Sequence, residues 1–160
     1  MEGVIKPEEI RQRLLNCLKE KGLKLTPQRR EIIEILSSEK SHPSARTIFQ
    51  KAREKAPTIS MSTVYYTLDI FKKYKAIKEL EFYDMENRYE GDISNHLNLI
   101  CIGCGKIQDF KEGLPFSQKV IEEKTGFKPY EMRFEYYGYC KECNRHFWPL
   151  GRERIPVALK

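Results

Sequence analysis

The stretch Ser60-Met61-Ser62-Thr63-Val64-Tyr65-Tyr66-Thr67-Leu68-Asp69-Ile70-Phe71-Lys72-Lys73-Tyr74 decides the fold. Ser60 is an N-cap residue, and Val64, Leu68 and Phe71 recur at i, i+4 and i+7, which predicts a helix from Met61 to about Tyr74 with one buried seam. The other side presents Ser62, Tyr65, Tyr66, Asp69 and Lys73, with small residues at its start. A helix that exposes hydroxyls and rings N-terminus first suits the recognition helix of a helix-turn-helix, which enters the DNA major groove in that orientation. The same tyrosines would also suit packing on a partner subunit.

Upstream, three further helices are expected. Ile10, Leu14, Cys17 and Leu18 share one face of a helix over residues 7–21, which Pro7 opens and Gly22 stops. Cys17 on that face reads as a core thiol. Thr26-Pro27 is a cap followed by a proline at the first helical position, and the helix it opens buries Ile32, Ile33 and Leu36 before ending near Ser38. His42-Pro43-Ser44 is a turn, and Ser44 caps a third helix carrying Ile48, Phe49 and Ala52 until Pro57 breaks it. Downstream of Tyr74, Ile77 to Tyr83 has β-type content that Asn87-Arg88-Tyr89 resumes after a polar turn. A hairpin after a recognition helix makes the unit a winged helix.

Charge follows the same division. The 160 residues carry 29 Lys+Arg and 23 Asp+Glu, a formal net of +6. Residues 1–84 hold 17 and 12 of these, so +5 of the excess lies in the first half and +1 in the second. A half that meets a polyanion shows this asymmetry, as does a half with solvated basic helix faces. The apolar share excludes a wholly disordered chain, and the lack of an apolar run near ~18 residues excludes a single-pass membrane helix. Met1-Glu2-Gly3-Val4-Ile5-Lys6-Pro7 has no signal-like apolar core, so a cytoplasmic address is expected.

In the second half, Cys101-Ile102-Gly103-Cys104 and Cys140-Lys141-Glu142-Cys143 are two C-x-x-C pairs. Two intervening residues let both thiolates turn to one tetrahedral ion, so a closed structural zinc site is expected. Disulfides, a thioredoxin-like redox pair and an iron–sulfur cluster are the alternatives. The first conflicts with a cytoplasmic address, and the second needs a βαβ context with the motif at a helix start. A cluster would also accept four cysteines. Between the pairs there is room for a strand (106–110), a helix (about 115–124) and a strand (131–139). His96 and Asn98 alternate onto one face of the strand His96-Leu97-Asn98-Leu99-Ile100. With Glu90, Asp109 and His42 they are candidates for a second, more exchangeable metal site, the ordinary alternative being a polar strand face. His146, beside Phe147-Trp148, reads as packing or solvent-facing.

Ile59 to Leu68, Leu25-Thr26-Pro27-Gln28-Arg29, His42-Pro43-Ser44-Ala45 and Cys101-x-x-Cys104-Gly105-Lys106-Ile107 together resemble the ferric-uptake-regulator (Fur) family, in order, from about residue 10 to residue 145. The resemblance implies an α+β chain, with a winged helix-turn-helix domain (1–84), a hinge (85–92) and a small α/β dimerisation and metal-binding domain (93–160). It implies Cys101, Cys104, Cys140 and Cys143 as structural Zn2+ ligands. It likewise implies His42, Glu90, His96 and Asp109 as ligands of a regulatory Fe2+ or Mn2+ between the domains. Asp109 stands where the peroxide-sensing branch has Asp and iron sensors have Glu; His42 and His96 match the histidines that branch oxidises. Tyr65 matches the family's base-contacting tyrosine, and Tyr66 replaces a frequent Arg or Asn. The family's H-x-H before the first knuckle is His96-Leu97-Asn98 here, so Asn98 offers an oxygen in place of an imidazole, a harder donor set.

The expected function is therefore a non-enzymatic, metal-responsive repressor of metal-homeostasis or peroxide-stress genes. It would act as a homodimer on a palindromic double-stranded operator, with no membrane partner and no small-molecule substrate. Arg29, Ser62, Thr63, Tyr65 and Tyr66 are the expected DNA contacts. The competing reading is a zinc-stabilised RNA-binding or adaptor module without a metal switch.

Overall fold

The computed structural model describes residues 5–82, 85–111, 117–130 and 132–147, with the side chains of His146 and Phe147 left aside. Two compact units divide between Ser94 and Asn95. The first contains α1 (Pro7–Glu20), α2 (Pro27–Ser38), α3 (Ala45–Lys55), α4 (Met61–Lys73), β1 (Lys78–Leu80) and β2 (Arg88–Glu90). Helix starts fall where the caps predict. Thr26 accepts from the Arg29 amide, Ser44 from Thr47 and Ser60 from Thr63, each satisfying a donor that the first helical turn leaves open.

The four helices converge on one core built from Ile10, Leu14 and Leu18 of α1, Ile32, Ile33 and Leu36 of α2, Ile48 and Ala52 of α3, and Val64, Leu68 and Phe71 of α4. Each large side chain fully buried here contributes about 1.5–3 kcal/mol relative to its exposed state. Cys17 belongs to this core, and burial pushes its thiol up from the ordinary cysteine value. Thr67 is also buried; its hydroxyl donates to the Thr63 carbonyl at 2.8 Å, so no polar atom is stranded.

β1 and β2 form the expected antiparallel ribbon, in the register Lys78↔Glu90, Glu79↔Tyr89 and Leu80↔Arg88. Residues 85–92, expected as a hinge, contain β2 and are fastened into the first unit. Arg13 of α1 donates to the carbonyls of Ala76 (3.2 Å) and Gly91, and Lys78 Nζ donates to Ser94 O at 2.6 Å. A Cβ on Gly91 would collide with the Leu36 carbonyl and with Ile10, so only glycine lets the chain pass this close to α2.

The second unit contains β3 (Leu97–Cys101), β4 (Ile107–Phe110), α5 (Gln118–Thr125), β5 (Glu135–Gly138) and α6 (Lys141–Phe147). Its sheet has the order β4-β3-β5, with β3–β4 antiparallel and β3–β5 parallel. Ser117 caps α5, and Gly126 closes it at φ 72°, a left-handed conformation that favours glycine. The expected strand 131–139 narrows to β5, and α6 forms without a sequence signal, because Cys140 to Arg145 has no apolar periodicity. Glu131 and the expected helix start at Pro115 lie outside the described residues, as does the side-chain environment of His146. Among the described residues no helix is long and apolar enough to cross a membrane.

Candidate metal centres and nucleic-acid interface

The second unit assembles its cysteines through strand pairing. Cys101 ends β3 directly beside Gly138 of β5, so the chain leaving β5 reaches Cys140 two residues later, and α6 then returns Cys143. The four sulfurs lie within 4.8 Å of one another, and Cys104 Sγ stands 3.8 Å from Cys140 Sγ. A disulfide requires about 2.05 Å. A tetrahedron with metal–sulfur bonds of about 2.3 Å has edges of about 3.8 Å. All four are free thiols with the spacing of a tetrahedral thiolate site. Gly103 sits in a tight place, since a Cβ there would meet Cys143 Sγ at 3.1 Å and Cys143 Cβ at 3.2 Å.

Electrostatics divide these thiols. Burial raises the Cys101 thiol, but the backbone amides of Cys140, Cys104 and Gly103 outweigh it and bring it down to about 6. The Cys140 amide lies 3.2 Å from Cys101 Sγ. Cys143 is pushed up to about 12 by desolvation and then by the neighbouring sulfurs. Four crowded sulfurs cannot all ionise alone, whereas a bound dication holds all four as thiolates. The second C-x-x-C does stand at a helix start, contrary to expectation. The four-sulfur grouping, rather than its local context, is what separates it from a redox pair.

The candidate regulatory ligands are distributed over both units. In the first, His42 lies in the turn between α2 and α3 and Glu90 ends β2; both are buried, with His42 Nε2 3.8 Å from Glu90 Oε1. His42 has φ 52°, an uncommon left-handed conformation for a non-glycine residue. It is held by β2: Arg88 Nη1 donates to His42 O at 3.4 Å and the Tyr89 amide donates to Pro43 O at 3.0 Å. In the second unit Asn98 and Asp109 are direct cross-strand partners, so their side chains share a sheet face, and alternation adds His96. His96 and Asn98 are buried, which sets aside the half-exposed polar strand face, and Asn98 Oδ1 has no hydrogen-bond partner. A buried acceptor left open is suited to a cation. Within the second unit, one imidazole, one carboxylate and one amide oxygen are donors that fit a divalent first-row metal.

The α4 surface carries the remaining candidates. Tyr65 and Tyr66 are 49% and 55% exposed, too open for core residues. Ser62 is exposed, and Ser60 Oγ lies 3.2 Å from Ser62 Oγ and 3.0 Å from Thr63 Oγ1, a hydroxyl cluster at the helix N-terminus. Arg29 of α2 donates to Lys24 O at 2.7 Å and places its guanidinium 5.8 Å from the Tyr66 ring. Sequence reasoning missed a polar network behind this helix. Glu79 of β1 accepts from Lys72 of α4 at 2.7 Å and from Asn87 at 3.1 Å. No spacing signal exposes it, because its members come from a helix, a strand and the loop before β2.

Comparison with known proteins agrees with these features. Residues 20–137 match the model of the ferric uptake regulator family. The chain is 39% identical over 132 residues to the peroxide operon regulator of Bacillus subtilis, covering 82% of this chain and 91% of that protein. The Helicobacter pylori ferric uptake regulator Fur, whose structure was described as revealing three functional metal binding sites, superposes with a TM-score of 0.71 at 31% identity, covering 90% of this chain and 97% of that one. The Campylobacter jejuni peroxide stress regulator does so with a TM-score of 0.66 at 28% identity, covering 81% and 98%. By matched residues, identity and fold, the chain belongs to the ferric uptake regulator family.

Proposed function

We propose that this chain is a homodimeric, metal-dependent DNA-binding repressor of the peroxide-responsive kind. The observation that carries the reading is the buried His42–Glu90 pair, 3.8 Å apart in the same unit that presents the α4 surface. An imidazole and a carboxylate buried side by side are stabilised by a dication, so occupancy there bears directly on the element that would read DNA. The relative in Bacillus subtilis is named a peroxide operon regulator, and Asp109 follows the peroxide-sensing pattern.

In this reading Cys101, Cys104, Cys140 and Cys143 hold structural zinc and fasten β3, β5 and α6. His42, Glu90, His96 and Asp109, joined by the Asn98 oxygen, hold Fe2+ or Mn2+. A bound ion supplies positive charge to a buried anionic donor set and, as Fe2+, a reductant for peroxide. The first unit is the DNA-binding domain and the second the dimerisation domain. Arg29 meets phosphate, while Ser62, Thr63, Tyr65 and Tyr66 meet base edges and sugars in the major groove. The exposed rings of Phe127, Tyr130, Tyr136 and Tyr137 in the second unit support a subunit interface there. A two-fold dimer reads half-sites related by the same symmetry, hence a palindromic operator.

The test titrates Mn2+ into zinc-loaded full chain while operator binding is followed. The affinity rises for wild type and not for His96→Ala, and operator DNA tightens Mn2+ binding by the same factor. Equal operator affinity with and without Mn2+ in both proteins rejects the switch and leaves a constitutive zinc-stabilised nucleic-acid-binding module. In Fe2+-loaded protein treated with dilute peroxide, one oxygen atom enters an imidazole ring and the other leaves as water, adding 16 Da to a peptide holding His42 or His96. Unmodified peptides after full loss of DNA binding reject the peroxide branch.

A further inference from the structure

The metal ligands His42 and Glu90 and the recognition helix α4 are separate elements of one unit, and β2 touches both. On one edge, β2 meets the His42 turn. Ser44 bridges to Arg88, the Tyr89 amide donates to Pro43 O at 3.0 Å, and Arg88 holds the His42 carbonyl. Its last residue is Glu90 itself. On the other edge, Tyr89 pairs directly with Glu79 of β1, so both side chains lie on the same face of the ribbon. Glu90, the next residue, points to the opposite face.

The Tyr89–Glu79 face leads into α4. Tyr89 is buried in the helical core and stands directly across the ribbon from Glu79. Glu79 accepts from Lys72 Nζ at 2.7 Å, and the same ammonium lies 3.1 Å from Asp69, both residues of α4. Burial raises Glu79, but donation from Lys72, Asn87 and Tyr89 outweighs it and holds the carboxyl below its usual range. Lys72 moves the other way: burial lowers it, and Glu79 and Asp69 raise it further. Both shifts favour the charged pair. With the Glu79 side chain only 13% exposed, this contact is shielded more than an ordinary surface ion pair and holds its geometry accordingly.

We propose that Tyr89 is a positioning residue that, with Glu79 and Lys72, makes α4 follow the backbone of β2, so that metal occupancy at His42 and Glu90 is felt at the recognition helix. The inference rests on the metal-switch reading above. A two-position β2 is the element that both sites bias, which is what coupling between them requires. Tyr89 needs to touch neither metal nor DNA. Its side chain sets how closely the ribbon and α4 move as one body.

The experiment uses zinc-loaded full chain as wild type, Tyr89→Phe and Glu79→Gln, with Mn2+ as the probe. Four quantities are read: operator affinity without Mn2+, operator affinity with saturating Mn2+, Mn2+ affinity without DNA, and amide hydrogen exchange over residues 61–73. In both variants the Mn2+-dependent gain in operator affinity falls about fivefold, a change of the size that coupling residues produce. Mn2+ affinity without DNA and metal-free operator binding stay at wild-type values, and Mn2+ no longer slows exchange in α4. Retention of the wild-type gain by both variants overturns the inference. Equal loss of metal-free binding also overturns it, since the role is then only structural. If wild type itself shows no Mn2+-dependent gain, the metal-switch reading fails, and this inference fails with it.

Discussion

The two units hold themselves together by different means. The first has a continuous core to which every one of its helices contributes, from Ile10 in α1 to Phe71 in α4. The second, among the described residues, buries only Ile100, Cys101 and Ile107 as apolar groups, and α5 buries none. Surface-to-volume scaling makes a unit of that size marginal without a metal, cross-link or partner. Its four clustered thiols suit coordination and its exposed rings suit association, where the first unit relies on apolar burial.

The largest expected effect is removal of zinc. Chelation or Cys104→Ser unfolds the second unit while the first keeps its helical signal, because coordination at such sites is worth roughly 10–16 kcal/mol of folding free energy. Circular dichroism with size-exclusion chromatography checks this; a second unit that stays folded and dimeric without metal breaks the comparison. Since ligation displaces protons from thiols as basic as Cys143, zinc affinity falls as the pH is lowered. Phe71→Ala acts on the other unit, lowering its unfolding free energy by about 3–5 kcal/mol through a cavity at a fully buried site. Chemical denaturation should show that loss without loss of bound zinc. Ser60→Ala removes the cap of α4 and costs about 1 kcal/mol, read in the same melts.

The smallest effect is electrostatic. Glu79 has a folded pKa below its unfolded value near 4.5, so it stabilises the first unit above that pH, and this is lost as the pH falls through the folded value. Glu79→Gln therefore lowers the melting temperature of the first unit slightly at neutral pH and flattens its decline on acidification below about 4.5. An unchanged acid limb removes the ion pair from the stability of this unit.

The same contrast explains what sequence reasoning reached. Helices of the first unit declare themselves through Thr26-Pro27, Ser44 and Ser60 and through seams such as Val64, Leu68 and Phe71, because caps and burial periods act within a few residues. The second unit has short strands and few apolar positions, so its sequence pattern overextends β5 and gives no signal for α6. The cysteine pairs were readable as a set because ligand spacing is a local property of the chain. Glu90, His96 and Asp109 stand out as candidates mainly through resemblance, since single polar residues carry no period.

The α1 to α4 succession, the wing, the four-thiol chemistry and the family of the chain are all written in near-neighbour patterns of the sequence. Tertiary structure decided that β5 runs parallel to β3, which is what carries Cys140 to Cys101, and that residues 85–92 are bound to the first unit. His42 adopts a left-handed turn held by β2, and Glu79 pairs across the ribbon with Tyr89 while accepting from Lys72, only in the folded chain. The physical reason is range. Caps, periods and ligand spacings are settled between near neighbours, whereas a hydrogen bond or ion pair across tens of residues exists only after the core has brought its partners together.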